Sequence, residues 1–212
     1  SLMAVAGKEN GKRAYLSKDK RKALLLETAA AIVDEGGWSE LTMMALAQRG
    51  QVSRQLVYQH FASHDALIME TISYIFADVY EYIRDEYEEH AADLVLASQN
   101  ANDYLFGLPE GRAQALWQIM SRPYSEGDDV SAVSRRLRHL VSKITAPAVQ
   151  TTLGPDVSDE RARQVAWMLD MAFWGTWQMV LDGDLERKKA SDMFAWMVKR
   201  IVQGQEVGPI PS

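Results

Sequence analysis

The chain has 212 residues, 47% of them hydrophobic, no cysteine and a formal net charge of −6. This length and hydrophobic content allow a sizeable core and exclude disorder of the whole chain, and the lack of cysteine excludes a disulfide framework or a thiolate site. The net charge argues against a nucleic-acid partner, because phosphate neutralisation drives most of that binding. The charge is uneven, however: up to Ile68 nine Lys and Arg accompany seven acidic residues, against 14 and 22 in the remainder.

Apolar residues recur at three-and-four spacing along almost the whole chain, and clean strand alternation is scarce, so the predicted fold class is all α. Residues 1–16 are expected to be a flexible tail without the basic lead of a secretory signal. Ser17 is predicted to cap a first helix that ends near Glu35, before two glycines. The helix dipole disfavours the cations in its first turn, so either solvent at a flexible end or a phosphate partner is expected to compensate them: Lys18, Lys20, Arg21 and Lys22.

Two short helices joined by a tight turn are predicted next. Thr42 is placed to cap the segment "MMALAQRG". The chain then breaks at Gly50 and Gln51, and Ser53 is placed to cap a third helix. This order predicts a helix-turn-helix unit.

The third helix is predicted to point polar side chains outward. Val57 and Phe61 lie one turn apart on its buried side, which places Gln55 and Gln59 outermost, while Arg54 projects from the first turn. Gln and Arg pair bidentately with adenine and guanine edges, so the pattern favours DNA reading over an ordinary solvated helix face.

The rest of the chain is predicted to be a helical body. Ser63 is expected to cap a long fourth helix that runs through Leu94. Later helices are predicted at 112–122, 130–150, 159–182 and 184–203, followed by a flexible tail at 204–212. The acidic run at 85–90 lacks the paired elements of a di-iron bundle, so it favours a solvated face, and no metal or cofactor is predicted.

The helix from Asp159 is apolar on two sides. One stripe contains Leu169 and Phe173, whereas Trp167, Met171 and Trp174 point elsewhere. The helix therefore needs a second partner surface, and the last helix offers a similar apolar set. Together the last two helices predict a symmetric four-helix homodimer interface.

An apolar ligand cavity is the other expectation for the body. Aromatic and methionine side chains at helical spacing would line it, with Asp170 or Gln178 as a polar contact that orients the ligand, although the same spacing is typical of an ordinary aromatic core. The candidate ligand-binding residues are Trp117, Met120, Trp167, Asp170, Met171 and Trp174.

The segments "LLLETAAAIVDEGGW", "LTMMALAQ" and "VSRQLVYQHFASHDALI" resemble the tetracycline-repressor (TetR) family of bacterial transcriptional regulators. The resemblance is specific over roughly residues 20–68, and the rest matches in layout alone. It implies a homodimer whose third helices enter successive major grooves of a palindromic operator, and a body that binds a small molecule and thereby changes the spacing of the two heads.

The resemblance also implies roles for individual residues. Thr42 and Tyr58 look like phosphate contacts, and His60 matches a common family histidine. Bases or backbone are expected to be read by Arg54, Gln55 and Gln59. The candidate DNA-binding set is therefore Thr42, Ser53, Arg54, Gln55, Tyr58, Gln59, His60 and His64.

Two positions depart from the family pattern. The family usually has Gly where Gln51 stands, and a left-handed Gln costs on the order of 1 kcal/mol relative to Gly, so the turn is expected either to be strained or to have another shape. The family usually has Lys where His64 stands. Histidine changes its charge near neutral pH, which gives the hypothesis that operator binding tightens as the pH falls from about 8 to 6.

The sequence thus predicts a cytoplasmic, non-enzymatic transcriptional regulator, expected to be a repressor released by a small apolar or aromatic effector. The helix-turn-helix domain is expected at 17–63 and the effector-binding and dimerisation domain at 64–203. No membrane association is expected. The alternative is a helical small-molecule-binding or adaptor protein without sequence-specific DNA binding, which steep salt dependence of DNA binding would exclude.

Overall fold

The computed structural model describes residues 16–202 and Gly204, so the predicted tails at 1–16 and 204–212 lie, apart from Leu16 and Gly204, outside the described residues. Within the described part the chain is all α, as predicted, and contains no strand. A 3₁₀ turn, Trp38–Glu40, follows the first helix, and a π turn, Val198–Val202, follows the last. The helices are α1 (Lys18–Gly36), α2 (Met43–Arg49), α3 (Arg54–His60), α4 (His64–Glu89), α5 (Leu94–Gly107), α6 (Glu110–Met120), α7 (Asp129–Leu153), α8 (Asp159–Leu181) and α9 (Arg187–Met197).

Hydroxyl side chains start the first four helices, as the sequence predicts. Ser17 accepts the backbone N–H of Lys20 at 3.3 Å, and Thr42 accepts that of Ala45 at 3.0 Å. Ser53 and Ser63 each accept the N–H three residues ahead at 3.1 Å. These contacts satisfy N–H groups that have no partner inside the helix, so local sequence fixes where each helix begins.

The prediction of one long helix through Leu94 is wrong. Helix α4 ends at Glu89, and the separate helix α5 begins at Leu94. The carboxylate of Asp93 accepts the N–H of Leu96 at 3.0 Å and caps the new helix. Reversal of the chain lets α5 pack against α4 and α9 and cover one side of the body.

Helix α8 is apolar on two sides, but the two sides differ from the predicted ones. Phe173, Trp174 and Trp177 are buried together in the core, so Trp174 does not belong to a separate outward face. The outward face instead carries Met168, which is 60% exposed, and Met179, which is 45% exposed.

Helices α1 to α3 form a head that packs on α4 and α6, and α4 to α9 form the body. The core of the head includes Leu25, Leu46, Val57 and Phe61, all of them buried. None of the helices in the described part of the chain has the length and apolar character needed to cross a membrane.

Candidate DNA-binding surface and ligand cavity

Helix α3 presents polar side chains over an apolar anchor. Val57 and Phe61 are completely buried. Gln55 and Gln59 are exposed on the opposite side, and Arg54 is exposed in the first turn. Two buried side chains therefore anchor this short helix in the core and leave its hydrogen-bonding groups in solvent.

Further candidate residues lie at the starts of α2 and α3 and along the same surface. Tyr58 is 50% exposed, which leaves its hydroxyl accessible. Thr42 and Ser53 are exposed, and each uses its oxygen as a cap acceptor. A hydroxyl that accepts a hydrogen bond still has its own proton to donate, and a helix N-terminus attracts anions. This surface can therefore donate hydrogen bonds both to phosphates and to bases.

The turn between α2 and α3 keeps the left-handed conformation with a glutamine. Gln51 has φ 51°, the only positive φ at a non-glycine residue in the described part of the chain. Its N–H donates to the carbonyl of Gln48 at 3.2 Å, and the N–H of Val52 donates to that of Ala47 at 3.0 Å. This pair of bonds is a Schellman motif, in which Gly is the usual residue at the left-handed position. Of the two expected outcomes, the structure shows the strained turn.

The two histidines of the head have different surroundings. His64 is exposed, and its Nε2 donates to the carbonyl of Leu41 at 2.7 Å, which fixes the ring beside the start of α2. His60 is half-buried, and its Nδ1 has no hydrogen-bond partner among the described residues. Burial, and then the nearby charges of Lys18, Arg21 and Lys22, lower the pKa of His60.

The basic cluster of α1 is partly engaged by the protein itself. Lys22 Nζ pairs with Glu70 Oε2 of α4 at 2.6 Å and lies 5.6 Å from the centre of the Phe61 ring. Lys18 and Lys20 are exposed. Lys22 therefore ties α1 to α4, whereas Lys18 and Lys20 remain open to solvent.

The body encloses a central cavity with about 50 Å³ of free space between α4, α5, α6, α7, α8 and α9. Three of the six candidate ligand residues line it: Met120, Asp170 and Trp174. The other three are not part of its lining. Trp117 stacks on Trp174 with ring centres 5.9 Å apart, Trp167 lies against His139 at 5.8 Å, and Met171 packs at the edge of the core.

Polar residues that the sequence did not single out also line the cavity. They are Tyr87 from α4, Ser98 and Asn102 from α5, and Thr145 from α7. Burial raises the pKa of Asp170 well above its ordinary value, and a hydrogen bond with Thr145 acts in the opposite direction. Ser98 and Asn102 are four residues apart on the apolar side of α5, a spacing that would have been a signal had that helix been predicted.

Helix α6 connects the cavity to the head. Leu116 and Met120 of α6 line the cavity. At the other end of the helix, Arg112 donates from Nε and Nη2 to the two carboxylate oxygens of Asp34 in α1, at 2.7 and 2.8 Å. The indole of Trp38 donates to the carbonyl of Ala115 at 3.2 Å. These bonds tie α6, and with it one wall of the cavity, to the head.

The acidic run at 85–90 contributes ordinary polar contacts. Glu86 Oε2 accepts a hydrogen bond from Asn100 at 2.8 Å and lies 3.7 Å from His90 Nε2. No group of three or more His, Asp or Glu side chains suited to a metal ion occurs among the described residues.

Comparison with known proteins finds a sequence match in the head and a similar fold over most of the chain. Residues 25–71 match the family model described as bacterial regulatory proteins of the tetR family. No curated protein matches the sequence. A TetR-like transcriptional regulator from Rhodococcus sp. RHA1 has a similar solved structure, with a TM-score of 0.65, 17% identity, and coverage of 90% of this chain and 100% of the other. A TetR transcriptional regulator from Legionella pneumophila is similar with a TM-score of 0.65, 14% identity, and coverage of 87% and 98%.

Proposed function

Because the chain has the DNA-binding domain and the fold of the TetR family of bacterial transcriptional regulators, we propose that it is a cytoplasmic, homodimeric repressor. In this proposal it binds a palindromic operator and leaves it when a small, largely apolar molecule occupies the central cavity. It has no catalytic activity of its own. The proposal rests on one observation about α3. Its Arg54, Gln55 and Gln59 are exposed, while Val57 and Phe61 are fully buried and anchor the helix in the core.

The proposed division of labour on DNA follows from the chemistry of each side chain. Arg54, Gln55 and Gln59 read base edges in the major groove, because their forked or paired donors and acceptors suit guanine and adenine. Thr42, Ser53 and Tyr58 hold phosphates and so fix the register of α3 on the duplex. His60 is half-buried on the same helix, where burial and the basic start of α1 lower its pKa.

The second copy is proposed to dock on the last two helices. Met168 and Met179 of α8 are exposed large apolar side chains, and Gly175 between them has open space where a side chain would point. Met193 and Trp196 of α9 are half-buried. A two-fold pairing of α8 and α9 would cover these groups and place the two α3 helices about 34 to 36 Å apart on DNA.

Release is proposed to act through α6. A ligand in the cavity displaces Leu116 and Met120, and the Arg112–Asp34 pair passes that movement to α1. The ligand lowers operator affinity only as far as it prefers the conformation in which the heads no longer fit successive grooves.

Selection of bound fragments from genomic DNA with the purified protein tests the DNA-binding part. We expect one palindromic sequence to be enriched, with affinity falling by about three orders of magnitude between 50 and 200 mM salt. Arg54→Ala and Gln55→Ala should each weaken operator binding, by about 1 to 3 kcal/mol, and relax the preference for particular bases.

Arg136→Ala on α7 and Gln114→Ala on α6 are the matched controls, because each removes an exposed side chain of the same type from the body. They should leave operator affinity and sequence unchanged. An unchanged selected sequence in both head variants would refute the site assignment. Loss of all enrichment in the unmodified protein would favour the adaptor alternative.

A further inference from the structure

Polar side chains from four helices converge on an otherwise apolar cavity. Tyr87, Asn102, Thr145 and Asp170 line the same space of about 50 Å³. Apolar groups complete the walls: Phe76, Leu105, Phe173, Trp174 and Phe194. No Lys, Arg or His occurs among the described residues that line this cavity. A carboxyl group therefore stands here without a basic partner in the lining.

Asn102 supplies an unused hydrogen-bond donor. The residue is only 5% exposed, and its Nδ2 has no acceptor among the described residues. An unpaired buried donor costs free energy, which a ligand oxygen placed in the cavity would recover. The amide thus points to a ligand that accepts a hydrogen bond.

Asp170 and Tyr87 also offer hydrogen-bond donors to a ligand. Burial raises the pKa of Asp170 well above its ordinary value. Burial also raises the pKa of Tyr87, and the nearby Asp170 adds to the effect. Both groups therefore tend to keep their protons, and a neutral carboxyl in an apolar site donates a hydrogen bond as a phenol does. The cavity consequently has several donors and little capacity to hold a charge.

On the basis of the proposed role of this cavity as the effector site, we propose that the effector is a compact, uncharged, mostly apolar molecule. It carries one carbonyl oxygen, which accepts hydrogen bonds from Asp170 and Asn102. The free space suits one functional group, which should reach both side chains, and the apolar remainder of the effector enters by displacing Leu116 and Met120 as proposed above. A protonated amine fits less well, because it would need Asp170 ionised in an apolar cavity, and burial of an ion pair carries a large desolvation cost.

Three ring compounds of nearly equal shape test the ligand class on the full chain without DNA. Acetophenone carries the carbonyl, α-methylstyrene has CH₂ in place of its oxygen, and 1-phenylethylamine is protonated at neutral pH. In isothermal titration calorimetry acetophenone should bind about tenfold more tightly than either of the others.

Substitutions at Asp170 test whether its side chain acts as a hydrogen-bond donor or as a negative charge that pairs with a cation. Asp170→Asn keeps an N–H donor of similar size and should retain the preference for acetophenone over α-methylstyrene. Asp170→Leu removes the donor and should reduce that preference severalfold. Asp103→Asn, at an exposed position of α5, is the matched control and should behave as the unmodified protein.

Each contrary result overturns the inference. Equal binding of acetophenone and α-methylstyrene would show that the polar groups are not used, and failure of acetophenone to bind at millimolar concentration would exclude the ligand class. Tightest binding of the amine, lost in Asp170→Asn, would identify a cation site. If acetophenone binds as expected but leaves an operator complex intact, the ligand class stands and the proposed release fails.

Discussion

Gln51 is the residue at which the head departs most from ideal backbone geometry. Its φ of 51° places an exposed glutamine in the left-handed region, where the Cβ atom is crowded. Gln51→Gly should therefore raise the free energy of unfolding by about 1 kcal/mol. For a chain of this size the thermal midpoint should rise by about 2 to 4 °C, which calorimetry would measure.

Gln48→Gly is the matched control for that substitution. Gln48 is equally exposed but lies inside α2, where glycine has a poor helix propensity. It should lower the free energy of unfolding by roughly 0.5 to 1 kcal/mol. If both substitutions destabilise the protein, the Gln51 side chain stabilises the turn and does not strain it.

His64 gives the head a proposed dependence on pH. Its Nε2–H already serves Leu41, so the neutral ring has no second N–H, whereas the protonated ring adds Nδ1–H and a positive charge. Operator affinity should be roughly fivefold higher at acidic pH, with the ring protonated, than at alkaline pH, with the ring neutral, from about 0.5 kcal/mol for each of two exposed phosphate contacts. Fluorescence anisotropy with the selected operator would measure it.

Two variants assign that pH dependence to one histidine. His64→Lys keeps its charge across the range and should abolish the dependence. His60→Gln should preserve it, because burial and the basic cluster of α1 lower the pKa of His60 and favour its neutral form. The same dependence in His64→Lys would remove the hypothesis.

At the scale of elements, α6 is set against α1 with almost no space between them. A Cβ atom on Gly111 would lie 1.9 Å from the carbonyl oxygen of Asp34. Gly111→Ala must therefore push α6 away from α1, and it should cost about 1 to 3 kcal/mol of folding free energy in a urea titration. It should also weaken operator binding, because the head changes its position on the body.

Gly107→Ala provides the control, since a Cβ there meets nothing within 4 Å. It should change the free energy of unfolding by less than about 0.5 kcal/mol and leave operator affinity unchanged. If Gly111→Ala also changed neither the free energy of unfolding nor operator affinity, the close packing of α6 on α1 would not constrain the head.

The starts of helices were predictable from sequence because capping is local. Ser17, Thr42, Ser53 and Ser63 each bind an N–H three residues ahead, so a short stretch of sequence contains the whole interaction. The start of α5 has the same signal in Asp93. That signal is hidden in the sequence, because the acidic run before it continues the helical pattern, and Asn100 and Asn102 after it have low helix propensity.

The cavity could be predicted only in part. Met120, Asp170 and Trp174 follow from apolar spacing and a lone carboxyl, whereas Trp117 and Trp167 have the same spacing and lie outside the lining. The packing of six helices decides which side of each helix faces the cavity. The spacing of apolar residues within a single helix does not contain that information. The outward direction of the polar side chains of α3 was easier to predict than the cavity lining, because two core residues of the same helix fix it.

At the scale of the whole molecule, the proposed operator binding requires two heads held at a fixed spacing. One head makes few contacts, and linking two of them makes the second contact effectively intramolecular. The proposed interface on α8 offers Met168, 60% exposed, and Met179, 45% exposed, as large apolar groups that a second copy would cover. Dimerisation and operator affinity should therefore fail together.

The double substitution Met168→Glu and Met179→Glu tests this link. Each methionine loses about 1.5 to 3 kcal/mol of burial, and each new carboxylate would be buried in the interface, so the dimer dissociation constant should rise by at least about two orders of magnitude in sedimentation equilibrium. Leu96→Glu is the control, because Leu96 is an exposed leucine on α5, outside the two helices of the proposed interface. A double variant that remains dimeric would move the interface elsewhere, whereas a monomer that still binds the full operator tightly would show that the two heads act independently.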